Sequence, residues 1–156
     1  MTPDRHLLDR EFTMRLIRVA RVYRKEVDRT LSAYGISDAQ AVPVLHIARL
    51  GGGVRQRVLA DEIGIEGPSL VRLLDQLCAH GLTERRSDPQ DARAKLVRLT
   101  AAGTELASRV EAALDQIRAR LLQPVSDGDL AAALRVLAIL HQGLGIADAH
   151  PGAGAE

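Results

Sequence analysis

The sequence predicts a mostly helical chain with one small β-hairpin, and three observations carry that prediction. Apolar residues recur at spacings of three and four along most of the 156 residues. The pattern shortens toward a period of two only between Leu82 and Thr100. The breaks fall at residues that end helices, namely Gly35, Gly51-Gly52-Gly53, Gly64, Gly81 and Pro124.

The first helix spans Leu8 to Tyr34. Phe12, Leu16, Val19, Tyr23, Val27, Leu31 and Tyr34 lie along one side, and Arg10, Arg18, Arg21, Arg24, Lys25 and Arg29 lie opposite. Ser37 is a good N-cap for a second helix, and Asp38 in its first turn suits the positive helix end. This helix holds Val42, Leu45 and Leu50 and ends at Gly51-Gly52-Gly53. Pro43 lacks a backbone donor, which predicts a bend or a late start. A third, short helix runs from Arg55 to Ile63 with Leu59, Ala60 and Ile63 inward. After the turn Gly64–Gly67, Pro68 opens a fourth helix at a first position, where its missing N–H costs nothing. Leu70, Leu73, Leu74 and Leu77 form its apolar face; Ser69, Arg72 and Gln76 form the other.

Leu82–Arg86 and Ala94–Thr100 then read as two strands around the turn-rich Ser87–Arg93. Thr100 caps a long helix with Leu106, Val110, Leu114, Ile117 and Leu121 inward, ended by Pro124. Ser126 caps the last helix, whose stripe is Leu130, Leu134, Leu137, Leu140 and Leu144. The predicted order is α-α-α-α-β-β-α-α, followed by a small-residue tail, 149–156, expected to be disordered.

Composition excludes several classes. One Cys forbids an intrachain disulfide and a thiolate metal site, which points to a reducing cytoplasm. Three aromatics, Phe12, Tyr23 and Tyr34, cannot build a base-stacking platform. The N-terminus has no apolar h-region, and no apolar run reaches the roughly 20 residues that cross a bilayer, so neither a signal peptide nor a membrane association is expected. The five His share no ligand spacing, so no metal or other cofactor is expected. Asp61 and Glu62 are adjacent on a helix and point apart, and no nucleophile–base set occurs, so an enzyme has no support. Gly51-Gly52-Gly53 lacks the Lys-Ser/Thr of a phosphate loop. Cys78 near the packing face of the fourth helix reads as a small buried hydrophobe rather than a redox sensor.

Two short helices with a Gly turn, followed by a hairpin, describe a winged helix-turn-helix. Such a unit places its second helix in the major groove of duplex DNA and its hairpin at an adjacent groove or the backbone. Arg72 can pair with guanine, Gln76 with adenine, and Ser69 with a base or a phosphate. The helix start at Gly67-Pro68-Ser69 offers free N–H groups to a phosphate. On an ordinary amphipathic helix the same Arg and Gln would simply be solvated. The hairpin tips the balance, because Arg85, Arg86, Arg93, Lys95 and Arg98 cluster there against Asp88 and Asp91. Asp91 can hold the Arg93 guanidinium extended, ready for a narrow minor groove. A plain turn-stabilising ion pair is the simpler account of those two residues.

Leu59–Leu77, Gly81-Leu82, Asp91-Ala92-Arg93-Ala94-Lys95 and Leu99-Thr100 resemble the MarR family of bacterial regulators, and within it the SlyA branch. The wing pattern Asp-x-Arg-Ala-Lys…Leu-Thr carries most of that specificity. The resemblance implies a homodimer in which residues 1–36 and 101–148 form a helical dimerisation domain and residues 37–100 the winged DNA-binding domain. The apolar stripes of the flanking helices, too extensive for one small core, fit such pairing. Two winged domains about a two-fold would read an inverted repeat. The resemblance gives Arg72 the major groove, Arg93 the minor groove and Asp91 the orienting role, with Ser69 and Arg86 secondary. It also implies release of DNA by a small aromatic acid or phenol in the crevice between dimer helices and winged domain. Arg21 or Arg24 would meet a carboxylate there and His46 would donate a hydrogen bond, although solvation accounts for each. The position of Ala41 is often a bulky aromatic in relatives; Ala enlarges the crevice or removes a stacking partner. The alternative function is a winged-helix module for protein contact without DNA.

The net charge of +1 is unevenly spread. Residues 1–36 carry 8 basic and 5 acidic groups, and residues 101–156 carry 4 and 7. The hairpin segment 85–98 alone is +3, which puts basic charge where a phosphate would be met.

Overall fold

The structure is a computed structural model describing residues 4–51, 53–89 and 91–145, with the side chains of Ala92 and Arg93 left out. The expected disordered tail, 149–156, lies outside the described residues. The order is α1 (Arg5–Ser32), α2 (Asp38–Arg49), β1 (Val54–Arg55), α3 (Gln56–Ile63), α4 (Gly67–Ala79), β2 (Thr83–Asp88), β3 (Asp91–Leu99), α5 (Ala101–Leu122) and α6 (Asp127–Gly143). No helix among the described residues is long and apolar enough to cross a membrane.

The caps explain several boundaries. Ser37 and Gln40 form a full capping box at the start of α2. Thr100 and Ser126 accept from the amides of Gly103 and Asp129 at the starts of α5 and α6. Pro43 lies within α2, which nonetheless begins directly at Asp38, so the expected late start does not occur. Its ring is buried, and only one helical hydrogen bond is forfeited.

The core joins the end of α1 to the winged domain and to α5. Val27 and Leu31 meet Ile36, Ala41, Val44 and Ile47, then Leu59, Leu70, Leu74, Leu77 and Val97, then Leu106, Val110, Leu114 and Ile117. Each of these larger side chains contributes about 1.5–3 kcal/mol by leaving water. The buried face of α2 is Ala41, Pro43, Val44 and Ile47; of the apolar residues that marked this helix in the sequence, Val42 and Leu45 are half-buried, Leu45 against the core, and Leu50 is exposed at its end. That helix is apolar on nearly every side, so spacing alone did not define its rotation.

The sheet order is β1-β3-β2, all antiparallel. Val54 pairs with Val97, and Thr83 with Leu99 at the hairpin base. β1 is a third strand where the sequence predicted two. Glu26 ties α1 to α5: hydrogen bonds from Arg120 (2.6 Å) and Arg29 hold its carboxyl below the ordinary carboxylate range.

Much of two of the apolar stripes that the sequence places on the flanking helices is not covered by this chain. Phe12, Leu16 and Val19 of α1 are exposed, as are Leu134, Leu137 and Leu144 along and just after α6. No residue of α6 is buried. Leu121, expected inward on α5, is exposed as well.

Candidate nucleic-acid interface

The start of α4 is open. Its N-cap, Glu66, makes no side-chain cap, and Pro68 occupies the second helical position rather than the expected first. Leu70, Leu74 and Leu77 bury one face, which turns Pro68, Ser69, Arg72, Asp75 and Gln76 outward. Arg72 forms no ion pair among the described residues. Pro68 has no N–H, and the Ser69 and Leu70 amides already donate to the Glu66 carbonyl at 3.0 and 3.1 Å, so the free N–H groups expected at Gly67-Pro68-Ser69 reduce to that of Gly67; the positive dipole end is what remains to attract an anion.

Gln76 is less available than its exposure suggests. Its Oε1 accepts from Gln40 Nε2 at 3.1 Å, while Gln40 also closes the α2 capping box. The outward face of α4 is thereby tied to the start of α2.

The hairpin stands beside α4 because Arg85 fastens it there. Arg85 Nη1 meets Asp75 Oδ1 at 2.5 Å and Nη2 donates to the Val71 carbonyl at 3.2 Å. Its Nε is buried with no hydrogen-bond partner among the described residues. The sequence counted Arg85 with the basic side chains available to phosphate; the structure commits it to α4 instead. Arg86 is exposed and pairs with Glu84 at 2.9 Å, an interaction worth about 0–1 kcal/mol at such a site and readily exchanged. Lys95 Nζ donates to Ser87 Oγ at 3.2 Å on the exposed hairpin. Asp91 opens β3 opposite Asp88. Arg93 lies within β3 by its backbone, and its side chain lies outside the described residues. Arg98 lies over Gly53, whose φ of +74° permits the turn into β1.

Two further residues belong to this face and were missed by the sequence reading. Gln56 and Arg57, at the start of α3, line a cleft of about 410 Å³ with Glu66, the N-cap of α4, and Gly67 and Val71 of that helix. Their signal was position alone: polar and basic residues opening the first helix of the helix-turn-helix.

The four candidate effector residues are dispersed. Arg21 and Arg24 are exposed on α1, Ala41 is 2% exposed in the core, and His46 is half-buried on α2. Burial lowers the His46 pKa from 6.5, Arg49 adds to that, and Glu62 opposes it. Two clefts run between α2 and α5. One of about 430 Å³ is lined by Ile47, Ala48, Gly51, Arg98, Leu99 and Thr104. The other, about 270 Å³, is lined by residues including Leu45, Arg49, Ala107 and Glu111. None of the four candidates lines either one. Cys78 is half-buried, with Sγ 3.3 Å from Thr83 Oγ1. Among the described residues no group of three or more His, Cys, Asp or Glu could hold a metal ion.

Comparison with known proteins agrees with this geometry. The MarR family model matches residues 34–94. The crystal structure of transcriptional regulator PA3341 is 36% identical, with 86% of this chain and 98% of that chain covered and a TM-score of 0.78. The S. aureus MepR–DNA complex shares the fold at 20% identity and a TM-score of 0.78, covering 85% and 97% of the two chains. The transcriptional regulator SlyA does so at 16% identity and 0.75, covering 88% and 93%. With six helices and a small antiparallel sheet among the described residues, and with its matched helix-turn-helix and wing, the chain belongs to the MarR family of transcriptional regulators.

Proposed function

We propose that the protein is a homodimeric transcriptional regulator that binds double-stranded DNA sequence-specifically at an inverted repeat. The observation that carries this reading is the open start of α4, where Pro68, Ser69 and Arg72 stand exposed beside a basic hairpin. Arg72 pairs with a guanine edge, and Ser69 takes a base or a phosphate. Gln76 reads adenine after exchanging Gln40 for the base. Arg86 and Lys95 meet phosphates, and Asp91 orients Arg93 in the minor groove. The fold shared with MepR, solved in complex with DNA, supports the same use here.

The dimer is supported by apolar surface that this chain leaves open. Leu7, Met14 and Ile17 of α1 and Leu134 and Ile139 of α6 are each about 60% exposed or more. A second copy of the chain covers these faces across a two-fold axis. The clefts between α2 and α5 are suited to a small aromatic acid or phenol, with Ile47 and Leu99 as apolar walls and Arg98 for a carboxylate.

A gel shift with competitor DNA tests the function. Specific retention that weakens steeply with salt is the expected result. The alternative, a winged-helix module for protein contact, predicts no specific retention and a flat salt response.

A further inference from the structure

Arg55 is the N-cap residue of α3, yet its side chain caps nothing. It leaves β1, crosses the middle strand β3 and reaches Asp88 at the end of β2. Nε donates to Asp88 Oδ2 at 2.7 Å, and Nη2 lies 2.6 Å from the same oxygen. The Asp88 side chain is only 6% exposed, whereas that of Arg55 is 47% exposed. A carboxylate so far removed from water needs a charged or hydrogen-bonding partner, so this contact differs from the exposed pairs elsewhere on the hairpin.

The position of the contact gives it a role. β1 ends at Arg55, and the hairpin continues beyond it as a two-stranded ribbon. The β2–β3 register shifts between Ser87 and Asp88, where the tip begins. An unsupported two-stranded ribbon is marginal in water. The Arg55 guanidinium joins the two outer strands at the last place where the third strand can brace the tip.

We infer that Arg55 and Asp88 are positioning residues, a latch that fixes the direction in which the Asp91–Arg93 tip is presented to DNA. The inference rests on the DNA-binding reading above. Neither residue has to touch DNA: the latch acts by ordering the tip before the encounter, so that less freedom is lost on binding.

The two residues are tested as a pair. Asp88→Asn, Arg55→Gln and the double variant are compared with the wild type on a duplex that the wild type selects from a random pool, over a series of salt concentrations. Amide hydrogen exchange of the free proteins is the second readout. Each single variant is expected to weaken binding roughly tenfold, and the double variant no more than either single. The salt dependence stays parallel to wild type. Amides from Asp91 to Leu96 exchange faster, while those of α5 keep their rates.

Charge alone predicts the opposite sign, because Asp88→Asn removes an acidic group beside the DNA face. Equal or tighter binding by Asp88→Asn, with wild-type exchange, overturns the latch. A shallower salt slope in Arg55→Gln makes Arg55 a phosphate ligand and overturns it too. If the wild type selects no duplex, the DNA-binding reading fails, and the exchange rates alone decide the latch. If Asp88→Asn does not fold, Arg55→Gln at its half-exposed site carries both readouts.

Discussion

Gly103 shows how much one residue can decide. A Cβ built there overlaps the carbonyl oxygen of Leu82, a backbone atom that already accepts from the Thr100 amide. The Thr100 hydroxyl donates to the Gly81 carbonyl at 2.7 Å and accepts from the Gly103 amide, so α5 starts locked against the hairpin base. Gly103→Ala is expected to destabilise the fold by about 2–3 kcal/mol, read by chemical denaturation. The capping role of Thr100 was legible in the sequence; the close approach was not, because nothing local announces a neighbouring strand. Arg72 carries the clearest functional expectation. Arg72→Ala should weaken operator binding about 10–100-fold and relax base preference, measured by competition against single-base operator variants. His46 supplies a pH dependence. Its folded pKa lies below 6.5, so the unfolded chain takes up the proton first as the solution is acidified. The resulting penalty is absent well above 6.5, grows as pH falls through that value and is complete below the folded pKa. Between about pH 7 and pH 5, His46→Gln should lose less thermal stability than the wild type, in melts recorded across that range.

At the scale of elements, the hairpin and α4 act as one body. Arg85 joins them through Asp75 and the Val71 carbonyl, and a guanidinium with a buried Nε cannot be removed without loosening both. Arg85→Gln is expected to accelerate amide exchange in β2 and in the middle of α4 together; acceleration in β2 alone would contradict the coupling. The helix-turn-helix, the hairpin and the long α5 were all readable from period and caps. Two things were not. β1 is only two residues long, too short for any alternation, and it exists because β3 offers it an edge. The rotation of α2 was hidden because its apolar residues surround the helix, and only packing against α3, α4 and α5 selects Ala41, Val44 and Ile47. The placement of Ser69 and Arg72 followed from helical spacing, whereas the commitments of Gln76 and Arg85 depend on residues distant in sequence.

The whole molecule, as a single copy, ends in open apolar faces on α1 and α6. Their stripes were legible as periodic sequence, but periodicity cannot distinguish a face buried by the same chain from one awaiting another. Ile139→Glu, at a position 68% exposed here, is expected to convert dimer to monomer in analytical ultracentrifugation. Operator affinity should then fall by roughly 100-fold or more, because the second half-site no longer binds intramolecularly. A dimer unchanged by this substitution would place the interface elsewhere. The charge follows the same division: 8 basic and 5 acidic groups in residues 1–36, +3 within residues 85–98, and an acidic excess after residue 100. The near-zero total is therefore compatible with a phosphate-facing hairpin.

The bond between Gln76 and Gln40 has an evolutionary consequence. A substitution at Gln76 that retunes base preference also withdraws a partner from the side chain that closes the α2 capping box. On the proposed reading, in which Gln76 contacts a base, changes at that position are pleiotropic: selection for a new binding site acts at the same time on the side chain that caps α2. Lineages that diverge in their targets should therefore do so more readily through Ser69 or Arg72 than through Gln76.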